Sequence, residues 1–310
     1  VSAVRARIAA ALIALVTIVA DAGCDAALRP LASTMCHESR PGASTSGAES
    51  ATPEEPTDAE WIALLTDDEE GPSSSCEVAL ARTPPQIPRC RRASAGPAPA
   101  LLAIPPRIAA RLHRSGDDDL LWIATHQTGD GMRSGPLAVV RRTALGLEVQ
   151  ALGTHLGPAE HAELRMLRTG AATVVAVEAD SGGARIAQLL IQSGGALVPA
   201  ALDDPEGGCS APAQIVLRRA DETRRSDGWT RRAVRTAVLD ESDDAVLVRE
   251  HLTVRELDLA DADAPPRATH DADAIRRLVP AGARLRADRA ALMAPTVPSA
   301  ERASRASERR

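Results

Sequence analysis

Residues 171–177, AATVVAV, decide how this chain can fold. The segment is apolar apart from one threonine, and a short run of this kind is typical of a strand that is buried on both faces. Residues 147–152, LEVQAL, instead alternate, with Leu147, Val149 and Ala151 on one face, as in a strand with one buried side. The sequence therefore predicts both central and half-exposed strands of a β protein.

Further short apolar segments follow one another at spacings of about 8–12 residues, separated by Gly or Asp, which is typical of all-β proteins. None of them shows the long stripe of a surface helix. We therefore predict a mainly β fold, built as an antiparallel meander sheet, a sandwich or a partly open barrel. The further strand candidates are 120–124, 137–142, 163–168, 185–192, 196–201, 213–219, 229–239, 245–257, 275–279 and 283–287.

The acidic stretch 240–244, DESDD, lies between two long strand candidates and predicts a hairpin turn. On the second of these strands, Glu250 shares a face with four apolar residues. They are Val246, Val248, Leu252 and Val254. If Asp240 pairs with Ala245, Arg235 lies directly opposite Glu250 and neutralises its carboxylate. We therefore expect Arg235 and Glu250 to form a structural ion pair in the sheet.

The composition limits the chemistry that the chain can perform. Its 310 residues carry a net charge of −6 and are 44% apolar, which allows one or two domains with a sizeable core and argues against a nucleic-acid binder. Lys, Asn, Phe and Tyr are absent, so P-loops, Schiff-base lysines and N-glycosylation sites are excluded and the core has to be aliphatic. Such a restricted alphabet also leaves open that the chain is not a natural folded protein.

The first 24 residues, VSAVRARIAAALIALVTIVADAGC, have the pattern of an export signal. Two arginines precede an uncharged apolar run over residues 8–20, and small residues follow it. The run is too short to span a bilayer as a helix of the mature protein. Ala20 and Ala22 fit the small-x-small rule for signal peptidase, and cleavage there leaves Gly23 as the first mature residue.

Ala22, Gly23 and Cys24 resemble the lipobox of bacterial lipoproteins. The resemblance covers only the signal, and it implies that Cys24 is acylated and becomes the first residue of the mature protein. Acyl chains would then anchor the protein stably in a membrane. The expected partners are that membrane and an unknown partner in the cell envelope, and the expected location is the envelope or periplasm. Cleavage before Gly23 would instead give a freely secreted protein.

Composition divides the chain into five segments. The stretch after the signal is rich in Ser, Thr, Pro and acidic residues, and it cannot bury enough apolar surface to fold. Within it, residues 61–65, WIALL, form either a helical turn that docks on the domain or a transient helix. The expected segments are a signal peptide (1–23), a disordered acidic tether (24–75), a Pro/Arg-rich extended segment (76–106), the β domain (107–290) and a disordered basic tail (291–310).

Besides Cys24, four cysteines are available for disulfides: Cys36, Cys76, Cys90 and Cys209. An even number in an exported chain suggests two bridges, for which three connectivities exist. Cys76 and Cys90 bracket a Pro-rich loop, so we expect them to pair, which leaves Cys36 to pair with Cys209. Free thiols are the alternative.

Three histidines are candidates for a functional site. His126 lies in a Gly-rich turn after a strand candidate. His155 and His161 flank another turn, with Glu160 and Glu163 beside them, and such a set could hold a divalent ion. The spacing matches no metalloenzyme signature, and the sequence contains no CxxC or GxSxG motif, so we predict no metal and no cofactor.

The remaining charged residues are expected to be structural. Arginine pairs such as Arg141-Arg142 point to opposite faces of a strand and balance nearby acidic residues, and acidic runs such as 117–119 are solvated loop tips. The sequence thus favours an exported, lipid-anchored envelope domain that acts as a binding or structural module. The alternative is an exported hydrolase with a dispersed, histidine-containing site.

Overall fold

The computed structural model describes residues 55–66, 85–91, 99–113, 118–143, 146–206, 208–224, 229–258, 265–266 and 269–293. The predicted signal peptide (1–23), the lipidation site Cys24, two of the disulfide candidates (Cys36 and Cys76) and residues 294–310 lie outside this part. Within it, no helix has the length and apolar character that crossing a membrane requires.

Among the residues that the structure describes, the fold is mainly β, with 70% in strands and 5% in helix, and it forms one large mixed sheet that is not closed on itself. All twelve predicted strand segments overlap strands of the structure, which confirms the fold class. The elements are α1 (Asp58–Thr66), β1 (Leu102–His113), β2 (Asp118–Gln127), β3 (Arg133–Thr143), β4 (Gly146–Gly157), β5 (Glu160–Arg168), β6 (Thr173–Ser181), β7 (Ala184–Ser193), β8 (Ala196–Pro199), β9 (Ala201–Asp204), β10 (Gly208–Ser210), β11 (Gln214–Arg224), β12 (Trp229–Glu241), β13 (Val246–Asp258), β14 (Thr269–Ala281) and β15 (Arg284–Ala287).

The sheet divides at β7. On one side, β7 pairs with β6, which in turn pairs with β5. On its other side, the first half of β7 pairs with β11 and the second half with β8. From β8 the sheet continues through β4, β3 and β2 to β1, and from β11 it continues through β12, β13, β14, β15 and β9 to β10. Strands β5–β7 therefore form a central layer between a first lobe (β1–β4 and β8) and a second lobe (β9–β15).

Strand β6 contributes to the cores of both lobes. Val175 and Val177 pack with Trp122 in the first lobe, whereas Val174 and Ala176 pack into the core of the second. None of these four β6 side chains is more than 2% exposed. The expectation that this apolar segment is buried on both faces is confirmed for these four residues.

Strand β1 forms one edge of the sheet and is a strand that the sequence does not predict. Pro105 and Pro106 lack amide hydrogens, and the pairing of β1 with β2 shifts register between Ala103 and Arg107. An edge strand tolerates prolines because only one of its sides is hydrogen-bonded in the sheet. Strand β1 thus begins at Leu102, within the end of the segment that was expected to be extended (76–106).

The hairpin of β12 and β13 has a different register from the expected one. Asp240 pairs with Leu247, and Arg235 pairs with Leu252, a shift of two residues. Because side chains alternate with a period of two, this shift keeps Arg235 on the same face as Glu250. Arg235 reaches the carboxylate from a diagonal position, with Nη2 2.5 Å from Oε1 of Glu250.

Helix α1 is docked on the outer face of the first lobe. Its first turn is closed by a capping box, in which the backbone N–H of Thr57 donates to Glu60 Oε2 (2.7 Å) and the N–H of Glu60 donates to Thr57 Oγ1 (3.3 Å). Trp61 and Leu65 are fully buried against β2 and β3. Of the two alternatives for this stretch, the structure contains the docked helix, so the region predicted as a tether (24–75) includes an ordered element.

Within the described residues, a disulfide joins Cys90 to Cys209, which corrects the expected pairing of Cys90 with Cys76 and of Cys209 with Cys36. The chain around Cys90 packs against the domain through the buried Pro88, and this places the two Cα atoms 5.3 Å apart. The prediction was wrong because it paired cysteines that are close in sequence, whereas the fold decides which thiols lie close in space.

Candidate functional site

The core of the first lobe continues into polar residues at one end of the lobe. Residues two apart on a strand share a face. On each of five strands, the last apolar residue that faces the core is therefore followed, two positions away, by a polar residue that faces the same way. The pairs are Leu120 and Asp118 on β2, Val139 and Arg141 on β3, Met166 and Arg168 on β5, Val175 and Thr173 on β6, and Leu190 and Gln192 on β7. Because neighbouring strands run antiparallel, these polar residues meet at the same end.

These polar side chains surround a cavity of about 260 Å³, which we call the mouth. Its lining consists of Asp118, Val139, Arg141, Gln150, Met166, Arg168, Thr173 and Gln192. Gln150 joins the lining through a β-bulge, since its neighbours in β4 pair with consecutive residues of β3 and leave Gln150 without a partner. Six strands thus contribute to one polar cavity with an apolar floor.

Two arginines and one carboxylate dominate the electrostatics of the mouth. Arg141 Nε donates to Asp118 Oδ1 at 3.1 Å, and Arg168 Nη2 donates to Asp118 Oδ2 at 2.9 Å. Asp118 is 15% exposed, whereas the arginines are 48% and 53% exposed. The shared carboxylate therefore fixes both guanidinium groups while leaving the mouth with an excess of positive charge.

A second ion-pair network supports the mouth from the opposite face of β2. Asp119 is buried and accepts hydrogen bonds from Arg142 Nε (2.7 Å) and His113 Nδ1 (2.9 Å). Burial by itself would raise the pKa of Asp119, but the hydrogen bonds from Arg142 and His113 outweigh it and lower the pKa. Arg142 also lies over the ring of Trp61, 5.9 Å from its centroid. This network joins α1 to the strands that carry Asp118 and Arg141.

His155 lies in a second, much smaller cavity of about 10 Å³, room for about one water molecule. The imidazole contacts Trp122 edge-on, with ring centroids 4.6 Å apart, and its Nε2 has no hydrogen-bond partner among the described residues. Burial lowers the pKa of His155 to about 3, so the ring is neutral at physiological pH. Pro85 and Ile87, from the segment held by the disulfide, close the cavity.

The other two candidate histidines are not brought together with His155. His126 is half-buried on β2, with Nδ1 2.9 Å from the hydroxyl of Thr125. His161 lies at the exposed start of β5, where its Nδ1 is 2.8 Å from Asp180 Oδ2. Across the residues that the structure describes, no three His, Cys, Asp or Glu side chains are grouped so that they could hold a metal ion.

Glu250 lies at the centre of a buried charge cluster in the second lobe. Besides Arg235, its carboxylate is 3.4 Å from Arg276 Nη2, and Arg276 in turn is 3.3 Å from Asp204. Burial lowers the pKa of Arg276, and the nearby Glu250 partly opposes this effect. The backbone N–H of Leu292 donates to the second oxygen of Glu250 at 3.0 Å. Since these groups bind one another, we assign the cluster a structural role.

Comparison with known protein families, curated proteins and solved structures finds none that matches this chain. The candidate site therefore rests on geometry alone. Sequence reasoning missed the mouth, because its polar residues come from six different strands. The signal that could have found it is a change from apolar to polar along each inward-facing row. The expectation that Arg141 and Arg142 face opposite sides agrees with their separate partners, Asp118 and Asp119.

Proposed function

We propose that this chain is a lipid-anchored β domain of the bacterial cell envelope that binds a small ligand in the mouth of its first lobe. The export pattern and the lipobox resemblance support anchoring through Cys24. The cavity supports a binding role, since small ligands bind in concave sites where a few polar groups converge. The observation that carries the proposal is the convergence of polar side chains from six strands on this cavity.

The mouth is suited to binding because its polar groups are held in place before a ligand arrives. They lie on strands or at a bulge, and Asp118 fixes the two guanidinium groups. Ordered donors reduce the entropy that a ligand loses on binding. By contrast, no serine hydroxyl or cysteine thiol contacts His126, His155 or His161 in the described part of the chain. This favours a binding module over a hydrolase.

The anchoring is tested by the intact mass of the mature protein, isolated from a bacterial membrane fraction. A mass that begins at Cys24 with added acyl chains supports the anchor, and Cys24→Ala should then move the protein out of the membrane fraction. Cys36→Ala, which changes a cysteine beyond the lipobox, is the matched control and should leave the protein membrane-bound. A mass that begins at Gly23 without lipid contradicts the anchor.

The binding role is tested by filling the mouth. Gln150→Trp places a large ring in the cavity, and Gln214→Trp makes the same change at an exposed position of β11. Native mass spectrometry of the protein purified from the envelope should show a small molecule on the wild type and on the Gln214 variant, but not on the Gln150 variant. An equal load on all three forms would show that the ligand lies elsewhere.

A further inference from the structure

We propose that the ligand of the mouth is a small organic monocarboxylate that also carries hydroxyl or amide groups. This inference rests on the proposed binding function and adds the chemical class of the ligand. Three features of the mouth carry it: the charge left over after Asp118 is paired, the polar side chains without protein partners, and the size and apolar floor of the cavity.

The charge of the mouth matches one negative group. Arg141 uses its Nε for Asp118, and Arg168 uses its Nη2 for Asp118 and, at 3.9 Å, for the sulfur of Met166. Among the described residues, both terminal nitrogens of Arg141 and the Nε and Nη1 of Arg168 stay available. Among the described residues, no other carboxylate contacts either arginine. Among the described residues that line the cavity, two cations face one anion, and a monoanion balances the remaining positive charge. A doubly charged anion would leave a negative charge uncompensated beside Asp118.

A carboxylate fits these donors better than a simple point charge. Arginine presents parallel N–H groups whose spacing matches the two oxygens of a carboxylate. Asp118 leaves such pairs of donors free, since each of its oxygens takes a single N–H from a different guanidinium, at 3.1 Å from Arg141 and 2.9 Å from Arg168. A ligand carboxylate would bind the same two cations through their unused donors.

The uncharged side chains of the lining indicate which groups the ligand carries besides its carboxylate. The carboxamides of Gln150 and Gln192 and the hydroxyl of Thr173 line the cavity, and within the described residues no hydrogen bond joins them to another protein group. They can donate to and accept from hydroxyl or amide groups. Val139 and Met166 form the floor and suit the carbon skeleton. At about 260 Å³, the cavity accommodates a ligand of the size of a six-carbon acid.

The experiment compares three probes on the full chain at low ionic strength, by calorimetry and by NMR of the arginine side chains. Gluconate is a six-carbon monocarboxylate with hydroxyl groups, sorbitol is its neutral counterpart, and inorganic phosphate is a multiply charged anion. Gluconate should bind and shift the Nε signals of Arg141 and Arg168. Sorbitol and phosphate should bind at least about threefold more weakly, the effect of one charge interaction in a solvated site.

Variants of the mouth test the charge argument directly. Arg141→Gln and Arg168→Gln should each weaken gluconate binding at least about threefold, whereas Asp118→Asn should tighten it by a similar factor, because it removes the competing carboxylate. Arg219→Gln is the matched control, since Arg219 is 56% exposed and lies 2.8 Å from Asp221. It should leave gluconate binding unchanged. Thermal unfolding of each variant establishes that it is folded.

The outcomes separate this inference from the proposed function. If sorbitol or phosphate binds in the mouth as tightly as gluconate, or if Asp118→Asn weakens gluconate binding, the monocarboxylate assignment is wrong and the mouth is still a binding site. If none of the three probes shifts the signals of Arg141 and Arg168 and the Gln150→Trp variant carries the same small-molecule load as the wild type, the inference and the proposed function both fail.

Discussion

Removing the carboxylate of Glu250 should destabilise the protein far more than removing a carboxylate that is paired equally closely at the surface. The side chain of Glu250 is 0% exposed and contacts Arg235 at 2.5 Å and Arg276 at 3.4 Å. In Glu250→Ala, the 2% exposed guanidinium of Arg276 keeps Asp204, at 3.3 Å, but loses its other carboxylate, and the N–H of Leu292 loses its acceptor.

The expected loss follows from the burial of the cations that are left behind. Removing one partner of a buried ion pair costs about 3–5 kcal/mol, because a charge stays in a poorly solvated environment. Asp204 continues to compensate Arg276, so we expect the lower end of this range, about 3 kcal/mol of unfolding free energy. Glu250→Gln keeps the shape and one acceptor oxygen, and it should lose less.

Glu163→Ala is the matched control. Glu163 lies 2.6 Å from Arg185, nearly the same separation as in the buried pair, but it is 68% exposed. A solvated pair of this kind contributes at most about 1 kcal/mol. Urea unfolding at neutral pH, followed by circular dichroism, gives both free energies. Losses that agree within about 1 kcal/mol would refute the burial argument, and the absence of a cooperative transition in the wild type would show that the chain does not adopt this fold.

Three further changes test other parts of the structure. His155 has a pKa of about 3 in the fold and 6.5 when unfolded, so the unfolded state binds more protons below pH 6.5. Stability should therefore fall by about 1.4 kcal/mol per pH unit as the pH drops from 6.5 towards 4, and His155→Gln should flatten this slope in urea titrations. Replacing Cys90 and Cys209 by serine removes a link across 119 residues and should cost about 4–5 kcal/mol in the chain-entropy model. A reductant should lower the urea midpoint of the wild type more than that of this variant. In Gly153→Ala the new Cβ would lie 2.0 Å from a backbone oxygen of β8, so the melting temperature should fall well below that of Gly129→Ala, where the space is open.

The sequence predicts the strands well because their signal is local. The apolar run of β6 and the alternation in β13 each reflect burial that repeats with a period of two along a few residues. The register of the β12–β13 hairpin is harder to predict, because a shift of two residues leaves every side chain on its original face. The backbone pairing of Asp240 with Leu247 and of Arg235 with Leu252 shows which of the two registers the structure has.

Features that depend on distant parts of the chain could not be predicted in the same way. The partner of Cys90 depends on where the fold places β10, and the mouth depends on which strand ends meet. The edge strand β1 escaped notice because Pro105 and Pro106 oppose a strand in the local sequence, and only its position at the edge makes them tolerable. Each of these features is decided by topology rather than by local preference.

The absence of Phe and Tyr from the sequence is related to the open end of the first lobe, where the mouth lies. A chain without Phe and Tyr fills its core with Leu, Val, Ile and Ala, and among the described residues Trp122 is the one tryptophan of the core cluster that strands β5–β7 share with the first lobe. Large aromatic side chains would bury the most area per residue and could close the end of the lobe. Instead, the inward-facing apolar residues of β3 and β5 end at Val139 and Met166. The next inward-facing residues are Arg141 and Arg168, whose side chains are long and charged. Their guanidinium groups extend to solvent while their aliphatic stems line the cavity. The open end of the first lobe thus follows from the same residue rows that form its core, and the charges placed there are the ones that the proposed ligand would contact.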